Sequence, residues 1–217
     1  MILRQNNSTV GKKLELRKGL LRKLTTTPEP FVLETHGGRG AIWKKLYSGF
    51  PTGAVIEKKP GDAEFLARQR PGWAVYEAQS ELVLGAGLFR WREIDMLDVD
   101  PYGEPWPVLT AFFEGYPARK WADRMAVAVN DGLRQNARIK GSWKIHSLKD
   151  EVRKYGNDNI RPHYLEICKE KLARIVGQAG YAVEHWVGYY TGNFDDMTHY
   201  GAILVRSSPS AVSGAAD

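Results

Sequence analysis

Cysteine is almost absent from this chain of 217 residues: Cys168 stands alone. An intramolecular disulfide is therefore impossible, and a cysteine-rich zinc site cannot be built. Histidine is nearly as sparse. The five, at positions 36, 146, 163, 185 and 199, show no metal-ligand spacing, so no metal is assigned and His185 and His199 read as hairpin residues. No run of about 18 uninterrupted apolar residues exists to span a bilayer. The first ten residues are polar, with no apolar run after a basic start. A soluble, cytoplasmic protein is the expectation. What the chain does have is a hydrophobic content of 43%, enough for one substantial core and too little length for two full domains. Its 31 Lys and Arg against 25 Asp and Glu give a net charge of +6, which permits a nucleic-acid partner without requiring one.

Three segments follow from patterning: a basic helix with its loop over 1–30, a folded domain over 31–206, and a tail over 207–217. In residues 12–24, Leu14, Leu16, Leu20, Leu21 and Leu24 sit among Lys and Arg, as in a basic amphipathic helix. Pro28 and Pro30 forbid its continuation. Strands are expected at 31–33, 54–57, 73–76, 94–99 and 125–129, with helices between them at 41–47, 63–68, 81–85 and 106–114. That alternation predicts an α/β protein with a doubly wound, mostly parallel sheet. The rhythm then breaks. After a helix over 164–176, residues 181–190 and 198–206 read as two strands of an antiparallel hairpin. The Ser, Ala, Gly and Pro content of 207–217 predicts disorder.

The first strand ends in Glu34-Thr35-His36-Gly37-Gly38-Arg39-Gly40, where a carboxylate is followed by glycines that let a ligand approach bare backbone. A dinucleotide site would want a third glycine where Trp43 stands. The pattern E-x-x-x-G-x-G instead resembles the first motif of Rossmann-like methyltransferases. Glu57 closes the second strand, 23 positions after Glu34 (57 minus 34). There a nucleotide-binding unit places an acid whose two oxygens accept from vicinal ribose hydroxyls. Glu77, after the third strand, is open between two readings: an acid near an adenine, or the neighbour of a Ser80-Glu81 helix cap.

The densest signal is Asp98-Val99-Asp100-Pro101-Tyr102-Gly103-Glu104-Pro105. Asp98 and Asp100 share one face of an extended strand and repel unless a cation or donors lie between them. Residues 100–105 resemble the D-P-F-G-S-P loop of tRNA guanine dimethyltransferases and, more distantly, the D-P-P-Y loop of amino-methylating DNA enzymes. The resemblance spans about residues 31–206, since the terminal hairpin matches the reversed last strand of the seven-stranded methyltransferase sheet. It implies S-adenosylmethionine as cofactor, bound by Glu34, His36, Gly38, Gly40, Glu57, Glu77 and Asp98. It also implies that Asp100 and the Pro101 carbonyl orient an exocyclic amine while Tyr102 stacks on its base. Gly103 replaces the aromatic residue of the DNA enzymes, and Glu104 the small residue of the tRNA enzymes.

Between 134 and 161, basic side chains alternate with aromatic ones. Arg138, Lys140, Trp143 and Lys144 are the candidates for a strand-tracking surface, against the alternative of a solvated face balanced by Asp150, Glu151 and Asp158. Three functions stay open: methylation of a nucleic-acid base in RNA or DNA, methylation of a small molecule or protein, and a nucleic-acid-binding module without catalysis.

Overall fold

The computed structural model describes residues 7–24, 29–115 and 119–207. Residues 25–28 of the expected loop and 208–217 of the expected tail lie outside the described residues. The strands are β1 (Val32–Glu34), β2 (Gly53–Glu57), β3 (Trp73–Glu77), β4 (Met96–Val99), β5 (Arg124–Asp131), β6 (Tyr181–Thr191) and β7 (Met197–Arg206). The helices are α1 (Asn7–Lys23), α2 (Pro60–Gln69), α3 (Ser80–Gly85), α4 (Trp106–Phe113), α5 (Leu133–Lys140), α6 (Lys149–Tyr155) and α7 (Tyr164–Gln178). All seven strands form one sheet of order β3-β2-β1-β4-β5-β7-β6. The first five are parallel, and β7 runs antiparallel to both β5 and β6. This is the doubly wound sheet with a terminal hairpin that the patterning predicts.

The central strands are apolar on both faces because both are covered. On one side Leu33, Ile56, Leu97, Val99 and Val127 pack with Leu84 of α3, Trp106 and Phe112 of α4, and Leu172 of α7. On the other, Val32, Met96, Ala126, Ala128 and Ile203 pack with Leu16 and Leu20 of α1 and with Tyr47. Gly201 permits that second layer: a Cβ there would lie 2.6 Å from Leu20 Cδ1 and 2.8 Å from the Val127 carbonyl oxygen. Burying Leu16 and Leu20 is worth about 1.5–3 kcal/mol each, which fixes α1 across the sheet.

Local departures from expectation are few. Residues 41–47 were expected as an α-helix, but Trp43–Tyr47 forms a π-helical turn, with the Ser48 N–H donating to the Trp43 carbonyl. The fourth strand begins at Met96 rather than 94. The basic segment contains α5 and α6, which its composition did not delimit.

Candidate functional site

Strand order reverses between β1 and β4, so the loops leaving their carboxyl ends diverge and open a cleft, as at the switch point of any doubly wound sheet. Two cavities lie there, about 600 Å³ and about 260 Å³. They share His36, Gly38, Arg39, Asp100, Pro101 and Tyr102 as walls. The larger, outer cavity runs past Glu57, Gln79 and Glu81. The inner one runs beneath α1, past Val10, Lys13, Glu34, Asp98, Gln135 and Met197.

The outer cavity is built by the glycine loop. Gly37 packs where a Cβ would lie 2.3 Å from Val55 Cγ2. Gly38 has φ +50° with open space where a Cβ would project. Its N–H donates to Glu57 Oε2 at 2.8 Å, and the Lys59 N–H donates to Oε1 at 2.9 Å. Each oxygen keeps acceptor capacity for a ligand hydroxyl. Gly40, φ +70°, turns the chain under the Arg70 guanidinium. His36 accepts or donates at Nδ1 with Thr35 Oγ1, 3.0 Å away, and burial lowers its pKa.

The inner cavity is built by ion pairs. Asp98, 2% exposed, takes Arg17 Nε at 2.7 Å, Arg17 Nη2, and the Tyr47 hydroxyl at 2.7 Å. Burial alone would lower the Arg17 pKa, but Asp98 outweighs it and leaves it raised. One helical turn earlier, Lys13 Nζ reaches both oxygens of Asp100 at 3.0 and 3.1 Å. The cation required between Asp98 and Asp100 is therefore supplied by α1. Glu34, opposite Asp98 in the register of β1 on β4, is paired with Arg70. Burial, with Asp98 adding to it and Arg70 opposing it, pushes Glu34 up to about 7.

Behind Asp100 lies an uncharged chain. Thr191 Oγ1 meets His199 Nε2 at 2.8 Å, and His199 Nδ1 meets Asn130 Oδ1 at 2.7 Å. Burial, helped by Lys13 and Arg17, drives His199 down to about 3, so it is neutral and its Nδ1 carries the proton given to Asn130. Burial would raise Asp100, but Lys13 and Arg17, joined by the Asn130 amide, hold it below the usual carboxylate range.

The candidates thus separate. His36, Gly38, Glu57, Asp100, Pro101 and Tyr102 come together around the outer cavity. Tyr102 is 97% exposed, with Lys59 Nζ 5.9 Å from its ring centre. Glu34 and Asp98 face the inner cavity but are spent on Arg70 and Arg17. Glu77 is exposed and lines neither cavity; Gln79 and Glu81 line the outer cavity instead. Trp143 requires a correction: it is 6% exposed with its ring 4.8 Å from Tyr164, so it has no free face on which to stack a base. Arg138, Lys140 and Lys144 are exposed. Asp131, beyond Asn130, caps α5 through the Leu133 N–H and accepts from the Tyr164 hydroxyl, both at 2.8 Å. Lys13, Arg17, Arg70 and Gln79 were missed. The one available signal was the spacing of Lys13 and Arg17 beside the leucine stripe.

No protein-family model and no curated protein matches the chain. Solved structures do match. Over 95% of its length the chain is similar to Trm1 from Pyrococcus horikoshii in complex with S-adenosyl-L-methionine, at 12% identity and a TM-score of 0.63. It spans 57% of that chain, a little over half. It is also similar over 95% of its length to the N-methyltransferase NodS from Bradyrhizobium japonicum WM9, covering 100% of that chain at 11% identity and a TM-score of 0.59. A putative RNA methyltransferase from Pyrococcus horikoshii matches at 14% identity and a TM-score of 0.51, over 95% of this chain and 86% of that one. Among the described residues, no helix is long and apolar enough to cross a membrane. Identities this low speak for architecture, and the architecture is the Rossmann-like methyltransferase fold.

Proposed function

We propose that the chain is an S-adenosylmethionine-dependent methyltransferase that modifies an exocyclic amine of a nucleic-acid base, in a cytoplasmic setting. The observation that carries this reading is the meeting of two cavities at Gly38, Asp100 and Tyr102. Their sizes suit a nucleoside-sized ligand. Glu57 would take the ribose, the open backbone of Gly38 would lie along it, and Gln79 would flank the adenine. The inner cavity, with Lys13 on its wall, would take the carboxylate of the cofactor's amino-acid end. The cofactor supplies an electrophilic methyl group on a sulfonium centre.

The chain's own residues then position the acceptor. Asp100, held ionised, accepts hydrogen bonds and so orients an amine's lone pair; a carboxyl held this low is a poor base, and its work is alignment. Tyr102 stacks on the attached ring. Three of the proposed nucleic-acid contacts lie on the surface, Lys140 and Lys144 exposed and Arg138 half-exposed beside its Asp196 partner, where they would meet phosphates. The test is incubation with labelled cofactor and mixed tRNA, rRNA and DNA, followed by mass spectrometry of the nucleosides. Label in a base amine is expected. Cofactor binding without base labelling would leave methylation of a small molecule or protein. Absence of cofactor binding would leave a nucleic-acid-binding module.

A further inference from the structure

The turn between β6 and β7 presents Phe194 to solvent at 76% exposure on a backbone that Phe rarely adopts, φ +62° and ψ 21°. Asp195 follows at φ +54°. Two successive left-handed non-glycine residues persist only where their surroundings hold them. Here three arginines do so. Arg161 Nη2 donates to the Phe194 carbonyl at 3.0 Å, and Arg134 Nε donates to the Asp195 carbonyl at 2.8 Å. Arg138 and Arg161 both bind the Asp196 carboxylate, at 2.6 and 3.2 Å. Arg134 is itself fixed against the Tyr190 ring, 3.9 Å from its centre.

The turn lies on the rim of the inner cavity. Gln135, next to Arg134, and Met197, next to Asp196, are both on the cavity wall. Meanwhile α5 begins against the loop of residues 100–105 that carries Tyr102: the Gly132 N–H donates to the Gly103 carbonyl at 3.0 Å. Tyr102 and Phe194 are the two most exposed aromatic rings among the described residues, and α5 buttresses both of their loops. Around Phe194 three guanidiniums, those of Arg134, Arg138 and Arg161, face the two carboxylates of Asp195 and Asp196, a surplus of one positive charge, and the Arg138 and Arg161 side chains are 45% and 37% exposed. The Arg138 guanidinium carbon lies 5.5 Å from the Phe194 ring centre.

We propose that Phe194, with Arg138 and Arg161, is a second stacking platform, which binds an unpaired nucleotide flanking the one at Tyr102. This rests on the nucleic-acid reading above and deepens it. A lone ring held outward by arginines suits a single strand better than a protein surface, because stacking needs one π-face and the adjacent phosphate needs the surplus cation. A protein partner would want a contiguous apolar patch around the ring.

The test uses the full chain and a fluorescently labelled oligouridylate, read by anisotropy across a salt series. Phe194→Leu, which keeps an apolar side chain at an exposed site, is expected to weaken binding by roughly 5- to 150-fold with an unchanged salt slope. Phe194→Tyr is expected to bind within about twofold of the parent, because it keeps the π-face. Arg161→Gln is expected to lower the log-log salt slope by about 0.7. Phe194→Leu binding the strand as tightly as the parent would overturn the proposal. So would equal losses for Phe194→Leu and Phe194→Tyr, or loss of S-adenosylhomocysteine binding in Phe194→Leu, which would place the ring in the cofactor site. A parent that binds no strand also overturns it, while the labelled-cofactor assay decides separately whether methyl transfer stands.

Discussion

The two halves of the cleft are held by different means. In the outer half, Glu57 is fixed by backbone N–H groups 19 and 2 residues away, one from the glycine loop after the neighbouring strand β1 and one from the turn after its own strand. In the inner half, Asp98 and Asp100 are fixed by Arg17 and Lys13, 81 and 87 residues away. The outer half keeps acceptor capacity to give to a ligand. The inner half has committed most of its charge to the fold, and Asp100, at its edge, is the carboxylate that stays partly exposed. Ligand exchange and structural anchoring are thus divided along a line through Asp100, and substitutions on either side should fail differently.

The largest effect is expected at Arg17. Arg17→Met leaves the Asp98 carboxylate buried with only the Tyr47 hydroxyl, and stranding one member of a buried pair costs about 3–5 kcal/mol. Denaturant unfolding should show it. A cost below about 1 kcal/mol would break the comparison, because the inner half would then not be anchored by charge.

Next comes Glu34, whose folded pKa is raised by burial to about 7 from its ordinary value of 4.5. The folded state binds this proton more tightly than the unfolded one. Its contribution is complete below pH 4.5 and is lost as pH rises to about 7, by at most about 3–4 kcal/mol. Melting temperature should fall across that window, and Glu34→Gln should flatten the slope. A parental slope in that variant would assign the effect elsewhere.

In the middle of the range lie the ligand-facing residues. Asp100→Ala is expected to cut single-turnover methyl transfer by a factor on the order of 10² or more while cofactor affinity stays near parental. Transfer at the parental rate would remove its orienting role. Tyr102→Ala should instead weaken acceptor binding by about 1–3 kcal/mol. On the outer side, Glu57→Ala should weaken cofactor binding about 10- to 100-fold by calorimetry, since it removes a charged acceptor worth about 1.5–3 kcal/mol. Unchanged affinity would move the ribose elsewhere.

The same division separates what was legible in the sequence from what was not. Strands β1, β2, β4 and β5 are apolar runs with acids at or just after their carboxyl ends, and periodicity reads such segments because both faces are buried. The glycine loop and residues 100–105 announce themselves through backbone demands that are local. Arg17 and Arg70 do not. Both are essentially unexposed, yet along the chain they look like any solvated arginine, because only the folded sheet brings Asp98 and Glu34 to them. Trp143 misled for the converse reason: basic neighbours at 138, 140 and 144 mark a surface, while its ring turns inward onto Tyr164. Phe194 gave no signal, since its exposure depends on three arginines from α5 and the segment before α7.

The smallest effect, and the sharpest comparison, is expected from Lys13. It sits one turn from Arg17 on the same helix and also pairs with an aspartate, but its side chain is 18% exposed and that of Asp100 is 25%. Water therefore screens the pair and can replace either member, so Lys13→Met should cost less than about 1 kcal/mol at pH 7. The sign of its pH dependence is set by Asp100, whose folded pKa is lowered from 3.8, chiefly by Lys13 against the opposing effect of burial. Such a group stabilises the fold above its unfolded pKa and loses that contribution as pH falls through the folded value. The difference between Lys13→Met and the parent should therefore be present at pH 7 and shrink toward zero as Asp100 protonates in acid, which thermal melts across a pH series would show. A cost as large as that of Arg17→Met would mean that both ion pairs anchor α1 and that Asp100 is structural. A cost that is the same at pH 7 and in acid would mean that Lys13 acts through its methylene stem, and the boundary through Asp100 would have to be redrawn.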